Sequence, residues 1–290
     1  MREHCGAVYG VSGLPWLAET LVSAASLKLN MPDLPRELFI EKDTYEQLSQ
    51  NNWLDSLFDF VNVYEEHAHW RSSKFKAFTS QRFEKNLFLD GDTWITSELW
   101  ELFDLLDHFD IAAMPAPQRI HRLSVESGAV ELFPTVPLSF PEYNTGVIPF
   151  KKSDAFSAML KHWQSLYEKA LVEKNYMMDQ ASFRSSIYHS NLRLSALMPE
   201  YNFRAGVPNV VKGRVKIVHA HGHLKKIAEQ VNSRKKMRVW KKSEDHTLSF
   251  KPKGAKNVYS TKEEELKEQL NQCQHSMDFI KSEVFKVSEA

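Results

Sequence analysis

Short apolar runs alternate with helical patterns over residues 6–115, and this alternation restricts the fold more than any other feature of the sequence. The runs at 6–11, 38–40, 58–63, 87–89 and 110–114 are typical of buried strands. Residues 16–27 place leucine and alanine at helical spacing, just after Pro15, which a first helical turn tolerates. Strands that alternate with helices predict an α/β fold, in which helices flank both faces of the sheet.

The strand at 87–89 ends in two carboxylates separated by a glycine, Asp90-Gly91-Asp92. In α/β sheets, ligands bind at the carboxyl ends of the strands. Mg²⁺ and Mn²⁺ take carboxylate oxygens together with the phosphates of a substrate, and Gly91 leaves room for a phosphate to approach. An Asp-Gly turn without a ligand explains the same residues. The motif alone therefore leaves both interpretations open.

Composition excludes several classes of protein. The two cysteines do not form a disulfide scaffold, and the sequence has neither a long apolar run nor a secretory signal at residue 1. A cytoplasmic protein is therefore expected. The formal net charge is zero, yet residues 212–256 are rich in lysine and arginine. This basic segment is interpreted either as a solvated surface or as a peripheral contact with an anionic membrane, and no nucleic-acid partner is predicted.

The sequence divides into a catalytic part, 1–225, and a C-terminal extension, 226–290. In the extension, Thr261 and Glu264 have the spacing of a capping box. Apolar residues then alternate at intervals of four and three, which predicts a helix with a heptad seam. This helix either packs on its own domain or forms a homo-oligomer through 261–290.

Several other residues have the chemistry of a phosphate site. The predicted strand and turn at Tyr9, Gly10, Val11, Ser12 and Gly13 lead into a helix N-terminus, which is suited to binding a nucleotide.

Cations and a histidine add to this set. Arg71 and Lys74 belong to a helix predicted over 70–82, and Lys225 follows Gly222. His219 ends a strand predicted at 215–218 and is a candidate third metal ligand. A zinc site at His219, His221 and His223, with His67 and His69, is the alternative, although no cysteine is near.

Five short elements, in this order, resemble the motifs of GT-A nucleotide-sugar glycosyltransferases, and of the glycogenin-like and lipooligosaccharide galactosyltransferase group in particular. They are Asp90-Gly91-Asp92-Thr93, Asn144-Thr145-Gly146-Val147-Ile148, Asp179-Gln180, residues 197–202, and the His219, Gly222 and Lys225 triplet.

The resemblance implies a GT-A, Rossmann-like mixed sheet flanked by helices, with a helical C-terminal extension. It implies Mn²⁺ or Mg²⁺ held by Asp90, Asp92 and His219. It also implies substrate-binding roles for other residues: a nucleoside site at 9–13, a donor sugar near Asn144, Gly146 and Asp179, a diphosphate near Gly222 and Lys225, and Gln180 on the reactive face.

The predicted function is a metal-dependent glycosyltransferase. It would move a sugar from a nucleoside diphosphate sugar, with UDP as the expected nucleotide, to a saccharide or another hydroxyl acceptor, with retention of configuration. Two alternatives stay open on the residues alone. A sugar nucleotidyltransferase or phosphohydrolase would share the acidic metal site, and a non-catalytic assembly protein would use the heptad helix.

Overall fold

A computed structural model describes residues 4–47, 53–65, 73–80, 82–233 and 237–240. The strands are β1 (Cys5–Val11), β2 (Arg36–Glu41), β3 (Phe60–Tyr64), β4 (Lys85–Leu89), β5 (Thr93–Ile95), β6 (Ile111–Pro115), β7 (Tyr143–Asn144), β8 (Val147–Lys151), β9 (Leu194–Ala196), β10 (Phe203–Arg204), β11 (Asn209–Val211), β12 (Ile217–His219) and β13 (Arg238–Trp240). The helices are α1 (Leu14–Asn30), α2 (Lys42–Glu46), α3 (Trp53–Leu57), α4 (Ser73–Ala77), α5 (Trp100–Leu105), α6 (Arg122–Glu126), α7 (Asp154–Lys174), α8 (Gln180–Tyr188) and α9 (Leu224–Asn232).

The main sheet is mixed and has the strand order β3-β2-β1-β4-β8-β6-β7, with β9 beside β6. Strands β3, β2, β1 and β4 are parallel, whereas β8 runs antiparallel to β4. The expected α/β sheet with flanking helices is confirmed. The predicted first helix is also present, and it extends from Leu14 to Asn30 with its proline in the first turn.

Both faces of this sheet are buried, as β4 shows. Leu87 and Leu89 point into the core formed with α1, while Phe88 points into the opposite core. Successive side chains of a strand face opposite sides, so a strand buried on both faces is apolar throughout. The second core is aromatic: the Phe78 ring lies 4.5 Å from Phe88 and 5.2 Å from Trp163, centroid to centroid. Each such buried side chain contributes about 2–3 kcal/mol. The rigid end of β4 is where the acidic pair begins.

A small sheet, β10-β12-β5, connects two distant parts of the chain. Strand β5 directly follows the acidic turn and pairs antiparallel with β12, in a register that places Thr93 opposite His219. The turn itself packs closely on α1, because a Cβ on Gly91 would lie 2.5 Å from Thr20 Oγ1. Sheet pairing therefore brings His219 to the acidic pair.

Two local predictions are wrong. The helix predicted over 70–82 is helical only from Ser73 to Ala77 among the described residues. A turn follows, which lets Ser80 and Arg82 reach the carboxylate of Glu37.

Thr96 and Ser97 have the side chains of helix N-caps, so the sequence predicts that one of them caps the next helix, and neither does. The helix begins after Leu99 and has no side-chain cap. The Thr96 hydroxyl instead donates to the carbonyl of Val215 at 2.7 Å, because the small sheet lies beside it.

The C-terminal extension is described only in part. The predicted boundary between residues 225 and 226 falls inside α9, whose buried residues Leu224, Ala228 and Val231 pack with the small sheet. Strand β13 pairs with β11. The predicted heptad helix at 261–290 lies outside the described residues. No helix within the described ranges is both long and apolar enough to cross a membrane.

Candidate active site

Asp90, Asp92 and His219 meet at the carboxyl end of β4. One ligand atom from each lies within 4.8 Å of the other two, the one such group of three among the described residues. His219 Nε2 is 3.1 Å from Asp92 Oδ1 and 3.9 Å from Asp90 Oδ2. The structure thus brings together the three residues expected to hold a metal. His221 and His223, the alternative zinc ligands, are exposed, and His67 and His69 lie outside the described residues.

A relay of hydrogen bonds fixes the orientation of His219. The backbone N–H of Gly146 donates to Asn144 Oδ1 at 3.1 Å, which identifies that atom as oxygen. The same oxygen accepts Asn202 Nδ2 at 2.8 Å. Asn202 must therefore turn its own oxygen to His219, where it accepts the Nδ1 hydrogen at 2.8 Å.

The relay leaves Nε2 as the ring nitrogen that faces Asp92. A neutral imidazole that carries its hydrogen on Nδ1 has a lone pair on Nε2, and the facing carboxylate oxygen has only lone pairs. Two acceptors 3.1 Å apart need a positive charge shared between them. A divalent cation bound between them would supply that charge. Histidine metal ligands typically donate the hydrogen on their other ring nitrogen to such an acceptor.

Lys74 connects the acidic pair to the start of α8. Its Nζ donates to Asp90 at 3.2 Å and to Asp179 at 3.0 Å, and the Thr145 hydroxyl donates to Asp179 at 2.8 Å. Burial alone would lower the pKa of Lys74, but the charges of Asp179 and Asp90 raise it. Burial raises the pKa of Asp90, against the charge of Lys74. A buried cation is thus held between two carboxylates.

Asp92 lies in a more positive environment than Asp90. Burial alone would raise the pKa of the Asp92 carboxyl, but His219, His221 and Arg204 together hold it below its usual range. His221 Nδ1 lies 2.9 Å from Glu19 on α1 and 3.8 Å from Asp92. The loop after β12 is therefore tied to α1. Gly222 in this loop has φ of +94°, which favours glycine.

The predicted nucleotide site at 9–13 leads into α1 as expected. Tyr9 is fully buried, with its hydroxyl 3.3 Å from Ser23 Oγ. Gly10 lies against α4, where a Cβ would be 2.3 Å from Ser73 O.

The end of this segment is held by side chains of neighbouring elements. The Ser12 hydroxyl donates to Glu41 at 2.6 Å, Gly13 N donates to Thr44 Oγ1, and the Tyr64 hydroxyl donates to Val11 O.

The remaining predicted residues occupy different places. Gln180 is buried in the first turn of α8, and its Nε2 donates to Tyr143 O at 3.3 Å. The Asn144 oxygen is engaged by the relay, which leaves its amide nitrogen for a ligand. Lys225 is exposed in the first turn of α9. Arg71 lies outside the described residues. The roles of these residues stay predictions.

Four residues near the site had no role in the sequence analysis: Glu19, Thr145, Asn202 and Arg204. Thr145 and Asn202 belong to the motifs quoted above, so a sequence signal existed, but the motifs do not indicate which residues these two contact. Arg204 follows the Tyr201-Asn202 pair closely and is placed by its pairing with His219 in the parallel β10–β12 register. Glu19 has no local signal beyond its position on α1.

Replacement of Asn202 tests the relay. Asn202→Leu removes the acceptor for Nδ1–H, and we expect Mn²⁺ affinity to fall about 10- to 100-fold, the usual effect of losing such a partner. Mn²⁺ titration followed by electron paramagnetic resonance measures this. Asn202→Asp keeps the acceptor for Nδ1–H but loses the donor to Asn144 Oδ1, so it should bind Mn²⁺ more tightly than the leucine variant. Equal affinities for the leucine variant and the wild type would contradict the relay.

Comparison with solved structures identifies the fold. The chain superposes on an active-site mutant of LgtC with a TM-score of 0.51, at 13% identity, covering 83% of this chain and 97% of that one. Mouse xyloside xylosyltransferase 1 follows with a TM-score of 0.49, at 17% identity, with 75% and 97% covered.

The glycosyltransferase GlyE of Streptococcus pneumoniae has a TM-score of 0.49, at 18% identity. The superposition covers 69% of this chain but only 47% of GlyE. Neither a protein-family model nor a curated protein sequence matches the chain. Its mixed sheet, helices and site at the end of β4 give it the GT-A glycosyltransferase fold.

Proposed function

We propose that this protein is a metal-dependent glycosyltransferase that uses a nucleoside diphosphate sugar. The observation that supports this most directly is the Asp90, Asp92 and His219 cluster, with Nε2 turned to Asp92 and both carboxylates at the end of β4. Such a cluster is suited to a cation that also binds a diphosphate. LgtC is a galactosyltransferase, and the chain shares its fold over 97% of the length of LgtC.

The donor set fits Mn²⁺, with Mg²⁺ as the alternative. Two carboxylates and one imidazole suit a cation that accepts both oxygen and nitrogen ligands. Gly146 keeps the space beside these ligands open, because a Cβ there would lie 2.0 Å from His219 Cε1 and 2.7 Å from Asp90 Oδ2. When bound, the cation would act as a Lewis acid that neutralises the diphosphate leaving group.

The protein residues around the cluster have roles that follow from their contacts. Lys74 holds Asp90 and Asp179 in fixed positions, so that neither carboxylate turns away from the donor. Asp179 and the Asn144 amide nitrogen are the proposed hydrogen-bonding partners of the sugar hydroxyls. The Gln180 amide, oriented by Tyr143 O, presents its oxygen to the reactive face of the sugar in the retaining reaction we propose. The acidic pair anchors the leaving group and is not itself the general base.

The nucleoside would bind at residues 11–13, where β1 ends and α1 begins. UDP is the proposed nucleotide, and the acceptor is the hydroxyl of a saccharide. Lys225 and Gly222 belong to the loop and helix that follow His219, from where they would approach the diphosphate.

Isothermal titration with UDP and with GDP, each with and without Mn²⁺, tests the proposal. We expect one nucleoside diphosphate to bind in the presence of Mn²⁺ and to bind at least about tenfold more weakly without it, because the cation neutralises the diphosphate. UMP serves as the control, since it lacks the second phosphate. Failure of both diphosphates to bind with Mn²⁺ would contradict the proposal.

Product analysis separates this function from the alternative enzymes. Incubation with a panel of nucleotide sugars and Mn²⁺ should release the nucleoside diphosphate together with free or transferred sugar. A nucleotidyltransferase would form or consume pyrophosphate, and a phosphohydrolase would release phosphate. Retention is measured from the anomeric configuration of the transferred sugar by nuclear magnetic resonance.

A further inference from the structure

Arg204 lies directly beside the metal ligands. It ends β10, and the parallel register with β12 pairs Arg204 with His219, so both side chains leave the small sheet on the same face. Its Nη1 is 3.0 Å from His219 Nε2 and 3.4 Å from Nδ1. An approach along the Nε2 lone pair would leave Nδ1 much farther away than Nε2. The guanidinium therefore lies over the imidazole ring.

The charge of Arg204 is not neutralised in the way that the charge of Lys74 is. Lys74 forms salt bridges with two carboxylates, whereas Arg204 forms none with the carboxylates of the described residues. A guanidinium stays protonated at all relevant pH values and has no acceptor of its own. Its Nη1 is 3.0 Å from His219 Nε2, so this charge lies directly at the three proposed metal ligands.

A divalent cation bound at the three ligands would be repelled by the neighbouring positive charge of Arg204. A nucleoside diphosphate changes this balance, because it brings negative oxygens that both can contact. The planar guanidinium donates two parallel hydrogen bonds to phosphate oxygens, which a lysine cannot do. Arg204 is long enough to turn from the imidazole to a neighbouring ligand, and it is only partly buried.

We propose that Arg204 is a diphosphate-binding residue that also makes metal binding depend on the nucleotide. Without nucleotide, its guanidinium rests over His219 and opposes entry of the cation. With nucleotide, it leaves the imidazole and binds the diphosphate. This inference rests on the proposed function. By linkage, the factor by which nucleotide strengthens Mn²⁺ binding equals the factor by which Mn²⁺ strengthens nucleotide binding.

The test measures both ligands on Arg204→Gln. Mn²⁺ alone is titrated by electron paramagnetic resonance, and UDP is titrated calorimetrically at saturating Mn²⁺, or GDP where the wild type prefers it. We expect the variant to bind Mn²⁺ alone about 3- to 10-fold more tightly, since a neighbouring positive charge is gone. We expect it to bind the nucleotide about 10- to 100-fold more weakly, since charge-assisted bonds are lost. A role confined to folding does not predict these opposite signs.

Two further variants separate charge from geometry. Arg204→Lys keeps the charge but not the fork, so Mn²⁺ affinity should stay near that of the wild type while nucleotide affinity falls. Arg214→Gln makes the same charge change at an exposed arginine that donates to Thr96 O, and it should change neither affinity. Thermal melting confirms that each variant is folded.

The outcomes distinguish this inference from the function beneath it. The role of Arg204 is overturned if Arg204→Gln leaves nucleotide affinity unchanged. It is also overturned if the variant binds both Mn²⁺ and nucleotide more weakly. The glycosyltransferase proposal stands in either case. A wild type that binds neither UDP nor GDP with Mn²⁺ overturns both.

Discussion

Asp92→Asn is expected to abolish metal-dependent nucleotide binding while leaving the fold intact. The asparagine keeps the shape of the side chain but removes the anionic oxygen that lies 3.1 Å from His219 Nε2. Without it, a cation loses one of two carboxylates, and the leaving diphosphate loses its anchor. We expect sugar transfer to fall at least about 100-fold, which is the size of effect seen when one charge-stabilising group is removed from an active site.

The measurements are donor hydrolysis or transfer, Mn²⁺ titration and thermal melting. Asp104→Asn, on the exposed side of α5, is the matched control and should leave all three unchanged. A fall in Tm of more than about 5 °C in Asp92→Asn, which is over 1 kcal/mol in a chain of this size, would mark Asp92 as a structural residue. Retained metal-dependent nucleotide binding would remove it from the metal site.

The acidic pair was predictable because its signal is local. A run of apolar residues, Leu87–Leu89, ends at two carboxylates, and no other part of the chain is needed to recognise a strand that stops at polar groups. His219 was predicted because it ends an apolar strand, and the motif that it forms with Gly222 and Lys225 supported this. The structure adds the reason for its proximity, which is the antiparallel register of β5 with β12.

The contacts made by polar side chains were not predictable. That Asn202 accepts from His219 depends on the carbonyl and amide directions of three separate segments, which no spacing rule contains. The wrong helix cap has the same origin. Threonine is a suitable N-cap residue, but the Thr96 hydroxyl donates instead to the carbonyl of Val215, which lies just before β12. Tertiary hydrogen bonds overrode the local signal in both places.

The length of α4 was overestimated because the next aromatic residue along the chain packs at a different place from Phe75 and Phe78. Phe75 and Phe78 do pack in the aromatic core, as a helical pattern requires. Phe83, five residues beyond Phe78, instead covers Gly6 of β1, where a Cβ would lie 2.3 Å from its ring. The chain must leave the helix to reach that position. The spacing of apolar residues alone does not distinguish one helical face from a short helix followed by an aromatic residue that packs elsewhere.

Lys74→Met is expected to destabilise the protein more than any other single change at this site. Lys74 Nζ lies 3.2 Å from Asp90 and 3.0 Å from Asp179, and only 15% of its side chain is exposed. Methionine fills much of the same volume but leaves two largely buried carboxylates without their cation. Removal of one partner of a buried ion pair costs about 3–5 kcal/mol of unfolding free energy. Urea unfolding at pH 7 measures the loss.

The pH dependence of this loss follows from the same charges. The pKa of Lys74 is raised in the folded protein, so its stabilising contribution is present at neutral pH and is lost only as pH rises through that raised value. On the acidic side, the contribution fades as the carboxyl of Asp90, whose pKa is raised by burial, becomes protonated. The deficit of Lys74→Met should therefore be largest near pH 7 and should shrink toward pH 4.

Two comparisons make the result specific to charge. Lys74→Arg keeps a cation between the carboxylates and should recover most of the stability. Mn²⁺ should stabilise Lys74→Met more than it stabilises the wild type, because a cation at Asp90 then has no lysine to repel it. A deficit that is the same at pH 4 and pH 7, and that Mn²⁺ does not reduce, would mean that Lys74 acts through packing and not through its charge.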